Sequence, residues 1–183
     1  MQAATTDRSI VSRMIRAARL DKDVYEEVEH DRDATGQAAT VVIGTSLAAG
    51  IGAAISGGSD GAGDAVLGLL VVAAFSVIGW AVYAWITYFI GTRFLAGPDT
   101  SADWGELART LGFANSPRVL MILGVAPALA GLIGLVVGIW ILVTTVVAVR
   151  AALDFTPGRA IGTVLLGWVA QGIVYGIAFA LLA

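Results

Sequence analysis

Polar residues gather in the first 33 positions of this chain, and apolar residues fill almost everything after them. Four uncharged stretches stand out, at 34–56, 65–92, 119–149 and 160–182. Each is long enough to cross the roughly 30 Å hydrocarbon core as a helix of about 20 residues. The third stretch decides the topology, because no charge lies between Arg118 and Arg150. One helix over it would run roughly 46 Å. Fitting that helix would take a tilt of roughly 50°, beyond the usual limit of about 40°. Two shorter spans of about 17–19 residues fit instead, at 112–130 and 133–149, with Pro127, Gly131 and Gly134 as punctuation. Arg118 would then lie inside the first of them and snorkel back toward the headgroups.

The arginines favour two crossings. Cytoplasmic segments are enriched in Lys and Arg. With the N-terminus inside and spans at 34–56 and 65–92, the loop with Arg93, Arg109 and Arg118 is inside. Two central crossings bring Arg150 and Arg159 back to that side, whereas one crossing leaves them outside. The alternative is one long, tilted helix kinked at Pro127. The fold expected is therefore all-α, a polytopic transmembrane bundle of five spans: 34–56, 65–92, 112–130, 133–149 and 160–182. It divides into a cytoplasmic region, 1–33, and a membrane domain, 34–183, with the C-terminus outside.

In the cytoplasmic region, Ile10, Val11, Met14, Ile15 and Ala18 recur at helical spacing, with Arg13, Arg16 and Arg19 between them. A short basic amphipathic helix over 9–20 follows, suited to anionic lipid or to a protein surface. Removing residues 1–20 is then expected to leave the bundle folded. Residues 21–33 are acidic. Asp23 and Glu26 resemble a capping box that would start a second helix at Val24, with the charges as a solvated face. The loop 57–64 holds Asp60 and Asp64 and no cation, which suits the outside. Trp80, Tyr83, Trp85, Tyr88 and Phe89 crowd the end of the second span, as an aromatic belt does. Ser101, Trp104, Glu106 and Leu107 suggest a short interfacial helix to about Leu111.

Composition agrees with this class: 183 residues, 57% hydrophobic, mean hydropathy +0.83, as expected of a membrane protein. The polar first thirty residues do not read as a cleaved signal peptide. The absence of cysteine removes disulfides, thiolate metal sites and cysteine nucleophiles. The single histidine, His30, stands in a charged run and reads as a solvated side chain. No carboxylate, Lys, Arg or His is expected at mid-span, where proton relays and ion-coupled carriers keep them. No nucleophile–base set, phosphate loop or metal spacing is present. No catalytic, cofactor or metal residues are assigned, and no nucleic acid is expected as a partner. A passive channel would need Thr45, Ser46, Thr144, Thr145 and Gln171 on one path. Packing chemistry is present: the pairs Gly134/Gly138 and Gly172/Gly176 each place two glycines on one helix face, within the bundle or between chains.

The run LGFANSP, with Gly112, Phe113 and Pro117, enters the third span. The glycine-rich pair of spans with Trp140 follows, then AVRAALDFTPGRAI into the last span. YEEVEHDRDATGQA precedes the first span. In this order the chain resembles the Yip1-domain family, prokaryotic type, over roughly residues 20–182. The resemblance implies a five-span membrane protein with a cytoplasmic N-terminus. Eukaryotic relatives bind prenylated GTPases, but the acidic Tyr-Gly-Pro-type motif they carry is absent here, so that partner does not transfer. The expected function is non-enzymatic: organising membrane lipids or recruiting protein partners at the cytoplasmic face of a prokaryotic cytoplasmic membrane. An accessory subunit of a larger membrane complex, or a homo-oligomer, is the alternative. A channel ranks below both.

Overall fold

The structure, a computed structural model, describes residues 8–57, 62–98, 100–125 and 127–182. Among these residues all regular structure is helical. The α-helices are α1 (Ile10–Ala18), α2 (Lys22–His30), α3 (Ala34–Gly57), α4 (Ala62–Arg93), α5 (Trp104–Ala114), α6 (Pro127–Ala152) and α7 (Pro157–Leu182), with a 3₁₀ segment (Ser116–Val125) between α5 and α6. Four helices, α3, α4, α6 and α7, are long and apolar enough to cross a membrane.

Local chemistry explains the boundaries. Ser9 caps α1 by accepting from the Ser12 amide, and Leu20, at φ 63°, ends it. Asp21 caps α2 by accepting from the Asp23 amide at 3.0 Å. The capping box expected at Asp23 and Glu26 is therefore two residues late, and α2 starts at Lys22. A capping box does open α5: the Asp103 carboxylate accepts from the Glu106 amide at 2.8 Å, and Glu106 accepts from the Asp103 amide at 2.7 Å. Asn115 ends α5 by donating its Nδ2 to the Leu111 carbonyl. Pro127 and Pro157 open α6 and α7 at the position where a missing amide proton costs nothing.

The central stretch breaks before Pro127 and not between the expected spans 112–130 and 133–149: α6 runs unbroken through Gly131 and Gly134, and the part before it is not an α-helix. The 3₁₀ segment begins at Ser116-Pro117 and ends at Val125. A Cβ on Gly112 would lie 2.6 Å from the Ala38 Cβ, and one on Gly52 would strike the Met121 carbonyl oxygen. Residues 112–121 therefore run parallel to α3. They run antiparallel to α6: Thr144 donates to the Ala114 carbonyl at 2.7 Å, and Gly124 faces Ala130. Fourteen α-helical steps of α6, about 21 Å, are thus matched by ten steps of the neighbouring segment, about 20 Å at 3₁₀ pitch. The wider pitch lets a short segment follow a long helix.

α4 lies antiparallel to α7. Tyr83 donates to the Val164 carbonyl and Gln171 donates to the Gly79 carbonyl. The N-termini of α3 and α7 and the C-termini of α4 and α6 meet at one end of the bundle. There α1, α2 and α5 form a cap, whose core includes Ala17, Val24, Tyr25, Val28, Leu107, Phe113, Val149 and Leu153. α5 is not the surface helix expected from Trp104 and Glu106, because its residues from Leu107 to Ala114 are all buried. The aromatic residues of α4 divide. Trp80 turns inward and donates to the Ala108 carbonyl at 2.9 Å, while Trp85 and Phe89 stack outside at 5.5 Å.

Candidate functional site: the charged cap and the bundle beneath it

The cap is built on Arg13. Its side chain is 0% exposed, so it is enclosed by protein and does not offer the surface contact expected of it. Nε and Nη2 donate to Glu27 Oε1 at 3.0 and 2.8 Å, Nη2 donates to Asp31 Oδ2 at 2.6 Å, and Nη1 donates to Gln37 Oε1 at 2.8 Å. Arg16 is also committed, to Asp21 at 2.8 Å and to the other oxygen of Glu27 at 2.7 Å. One carboxylate thus bridges two arginines of α1. Of the three arginines assigned to a surface, Arg19 alone has an exposed side chain. The acidic run is correspondingly not a purely solvated face: Asp21, Glu27 and Asp31 are the counter-charges of α1. Burial works against the Arg13 charge, but the hydrogen bonds to Asp31 and Glu27 outweigh it and hold its pKa above the ordinary value. Burial likewise raises Glu27, and the bonds from Arg16 and Arg13 more than reverse it.

Arg109, from α5, is 6% exposed and was not singled out by its sequence. Its Nε donates to the carbonyls of Val28 and Glu29, and its Nη2 to Glu29. These are last-turn carbonyls of α2, which have no partner within the helix. A cation at that end also suits the helix dipole. Tyr25 ties α2 to α1 through the Ala17 carbonyl at 3.1 Å. Glu29, 7% exposed, has an oxygen without a partner. Burial first, then repulsion from Glu26, pushes its pKa up to about 7. Glu26, Glu29 and His30 bring potential ligand atoms within 4.8 Å of one another, but the exposed His30 spends Nδ1 on the Glu26 carbonyl at 2.9 Å.

Below the cap lies a correction to the expected charge pattern. Arg118 does not snorkel away from the bundle. It lines a cavity of about 510 Å³ together with Gln171, beside Gly79 near the middle of α4. Thr45, Ser46, Thr144 and Thr145 are buried elsewhere and do not line this cavity, so the path required for a channel is not assembled around Gln171. The glycine pairs also differ from the expectation of packing within the bundle. A Cβ on Gly134, Gly138, Gly172 or Gly176 would meet nothing within 4 Å. Close approaches fall instead at glycines such as Gly50, Gly52, Gly79, Gly91 and Gly112, which no GxxxG spacing marks.

The three residues of the LGFANSP run take structural places. Gly112 lets α5 touch α3 at Ala38. Phe113 is fully buried. Pro117 is buried at the start of the 3₁₀ segment, where it borders a trough with Val11, Ile15 and Trp140. The Yip1 domain matches residues 21–179. The chain belongs to the Yip1 domain family. The match begins at the residue that caps α2 and runs through α3 to α7, so the Yip1 domain takes in the acidic helix and the whole bundle but not α1. Neither a curated protein nor a solved structure matches the chain. As a Yip1 domain protein with four membrane-length helices, this is an integral membrane protein, and its surroundings include lipid.

Proposed function

We propose that this Yip1 domain protein is a non-enzymatic, five-pass membrane protein. Its charged cap faces the cytoplasm of a prokaryotic cell, and it recruits partners or organises lipid there. The fifth pass, expected at 112–130, is the run from the end of α5 through the 3₁₀ segment, beside α3. The positive-inside distribution supports the orientation, because the described Lys and Arg other than Arg118 all lie at the cap end.

The observation that carries the reading is the outer side of α1. Val11 is 64% exposed and Ile15 47% exposed, beside the trough that they share with Leu120 and Trp140. Exposed Arg8 and Arg19 flank them. An apolar stripe with basic neighbours, held at the side of the bundle, suits the boundary between headgroups and acyl chains. Deleting residues 1–20 is no longer a clean test, since it would orphan Glu27 and Asp31. Because the natural chain has no cysteine, Val11→Cys bearing an environment-sensitive fluorophore serves instead. In nanodiscs containing anionic lipid, blue-shifted emission that lipid-borne quenchers reduce is expected. Water-like emission without quenching would overturn the lipid contact.

The bare glycine faces of α6 and α7 favour a second reading, in which another chain packs on Gly134/Gly138 or Gly172/Gly176 and the protein is a subunit of a membrane complex. Purification in mild detergent with mass spectrometry separates the two. Stoichiometric companions support the subunit reading; a lone chain carrying lipid supports the first.

A further inference from the structure

The cavity below the cap is open on one side and lined by α3, α4, α7 and the start of the 3₁₀ segment. Its polar contents do not satisfy one another. The partly buried Arg118 guanidinium has no carboxylate or hydrogen-bond partner among the described residues. Gln171 donates Nε2 to the Gly79 carbonyl at 3.2 Å, yet its Oε1 is buried and accepts nothing among the described residues. The lining thus offers an unbalanced cation and an unused acceptor, together with Ser76, Trp80 and Trp168. An ionisable side chain at such a depth is normally paired or turned to a polar cavity, and it marks a binding site more often than a structural one.

The surroundings indicate the occupant. On the cap side of Arg118 the helices are wrapped: Thr144, Thr145, Ala148 and Val149 of α6 are buried. On the other side they are bare: Leu129, Leu132, Leu135 and Ile139 of α6 are all more than half exposed. The cavity straddles that boundary, and Val72 and Phe75, both exposed, continue it down the apolar wall of α4. A ligand matching this has an anionic group for Arg118, a hydroxyl donor for Gln171 Oε1 and an apolar tail for the wall. We propose that the cavity is a binding site for an anionic phospholipid whose head group carries free hydroxyls, with the phosphate on Arg118 and a head-group hydroxyl on Gln171.

The test uses the full-length protein in detergent and native mass spectrometry, with phosphatidylglycerol and phosphatidylcholine added in equal amounts. The natural chain is expected to retain phosphatidylglycerol about tenfold over phosphatidylcholine, which matches the usual worth of a charge-assisted hydrogen bond. Arg118→Met should bring the ratio near one, Arg118→Lys should keep most of it, and Gln171→Leu should lower it several-fold. Arg32→Gln, on the exposed surface of the cap, should leave it unchanged. Arg118→Met should also melt no lower than the natural chain, because it removes a charge without a partner. Equal retention by the natural chain and Arg118→Met, or a large loss of melting temperature in that variant, would overturn the proposal. So would displacement of the lipid by an equal concentration of glycerol 3-phosphate, which would assign the site to a soluble phosphate.

Discussion

Arg13 and Glu29 show how different two buried charges can be. Arg13 has three acidic or amide partners within 3.0 Å, whereas one oxygen of Glu29 has none. Breaking a buried pair from one side costs about 3–5 kcal/mol. Arg13→Met is therefore expected to lose about 3 kcal/mol or more, read as a fall in midpoint during thermal or denaturant unfolding. Glu29 carries the opposite sign. Its folded pKa, about 7, lies above the ordinary value of 4.5, so its contribution is fully present below about 4.5 and is lost as pH rises toward 7. His30 on α2 eases its ionisation, while Glu26, Glu106 of α5 and Asp154 of the α6–α7 turn oppose it. Glu29→Gln should melt a few degrees higher than the natural chain at pH 8 and no higher at pH 4.5. Glu27 and Asp31 have lowered values, so their contribution disappears as pH falls through those values, and the cap should loosen in acid. Gly112 supplies a third case. A methyl group there would lie 3.1 Å from the Ala38 Cα, a backbone atom that cannot turn aside. Gly112→Ala should cost about 1–3 kcal/mol, whereas Gly138→Ala should leave the melting temperature of a single chain unchanged.

Between α1 and α6 one hydrogen bond spans 122 positions, from Trp140 Nε1 to the Ala18 carbonyl at 2.8 Å. Trp140→Phe keeps most of the ring and removes that donor. A loss of about 1 kcal/mol and faster trypsin cleavage after Arg16 and Arg19 are expected. The long elements were legible in the sequence because an uncharged run in a chain of this composition has few alternatives to a membrane-length helix. α3, α4 and α7 accordingly lie within a few residues of the expected runs, whereas α6 begins at Pro127 rather than at 133, because proline opens a helix and Gly131 and Gly134 do not break one. The 3₁₀ segment was not legible: hydropathy reports how apolar SPRVLMILGV is, not its pitch. α5 was misread for a related reason. Glu106 and Trp104 at its start suggested an interface, but burial of Leu107 to Ala114 comes from α2, α3 and α6 packing around it, which only tertiary contacts reveal. The site residues fared similarly. An arginine counted by helical spacing looks exposed, and nothing in the local sequence says that Glu27, Asp31 and Gln37 converge on Arg13.

Across the whole molecule the charges separate by end. The cap holds the ion pairs and Arg109, while Asp64, expected in a loop, lies in the first turn of α4 at the far end of the bundle, and Asp60 lies outside the described residues. On the five-pass reading, single cysteines answer the topology directly. Arg150→Cys and Lys22→Cys should react with a membrane-impermeant thiol reagent only in inside-out vesicles, and Ser59→Cys only in right-side-out ones. Reaction of Arg150→Cys and Ser59→Cys from the same side would remove the fifth pass. The bond between Trp140 and Ala18 has a further consequence, in the order of synthesis. A ribosome releases α1 first, and its ion-pair partners on α2 and Gln37 follow at once, but the apolar seat at Pro117 and the Trp140 donor come much later. Through most of translation the α1–α2 pair therefore lacks its seat on the bundle, and the apolar side of α1 is free to meet whatever attends insertion. The piece made earliest is among the last to be fixed, and its docking reports that α6 is in place.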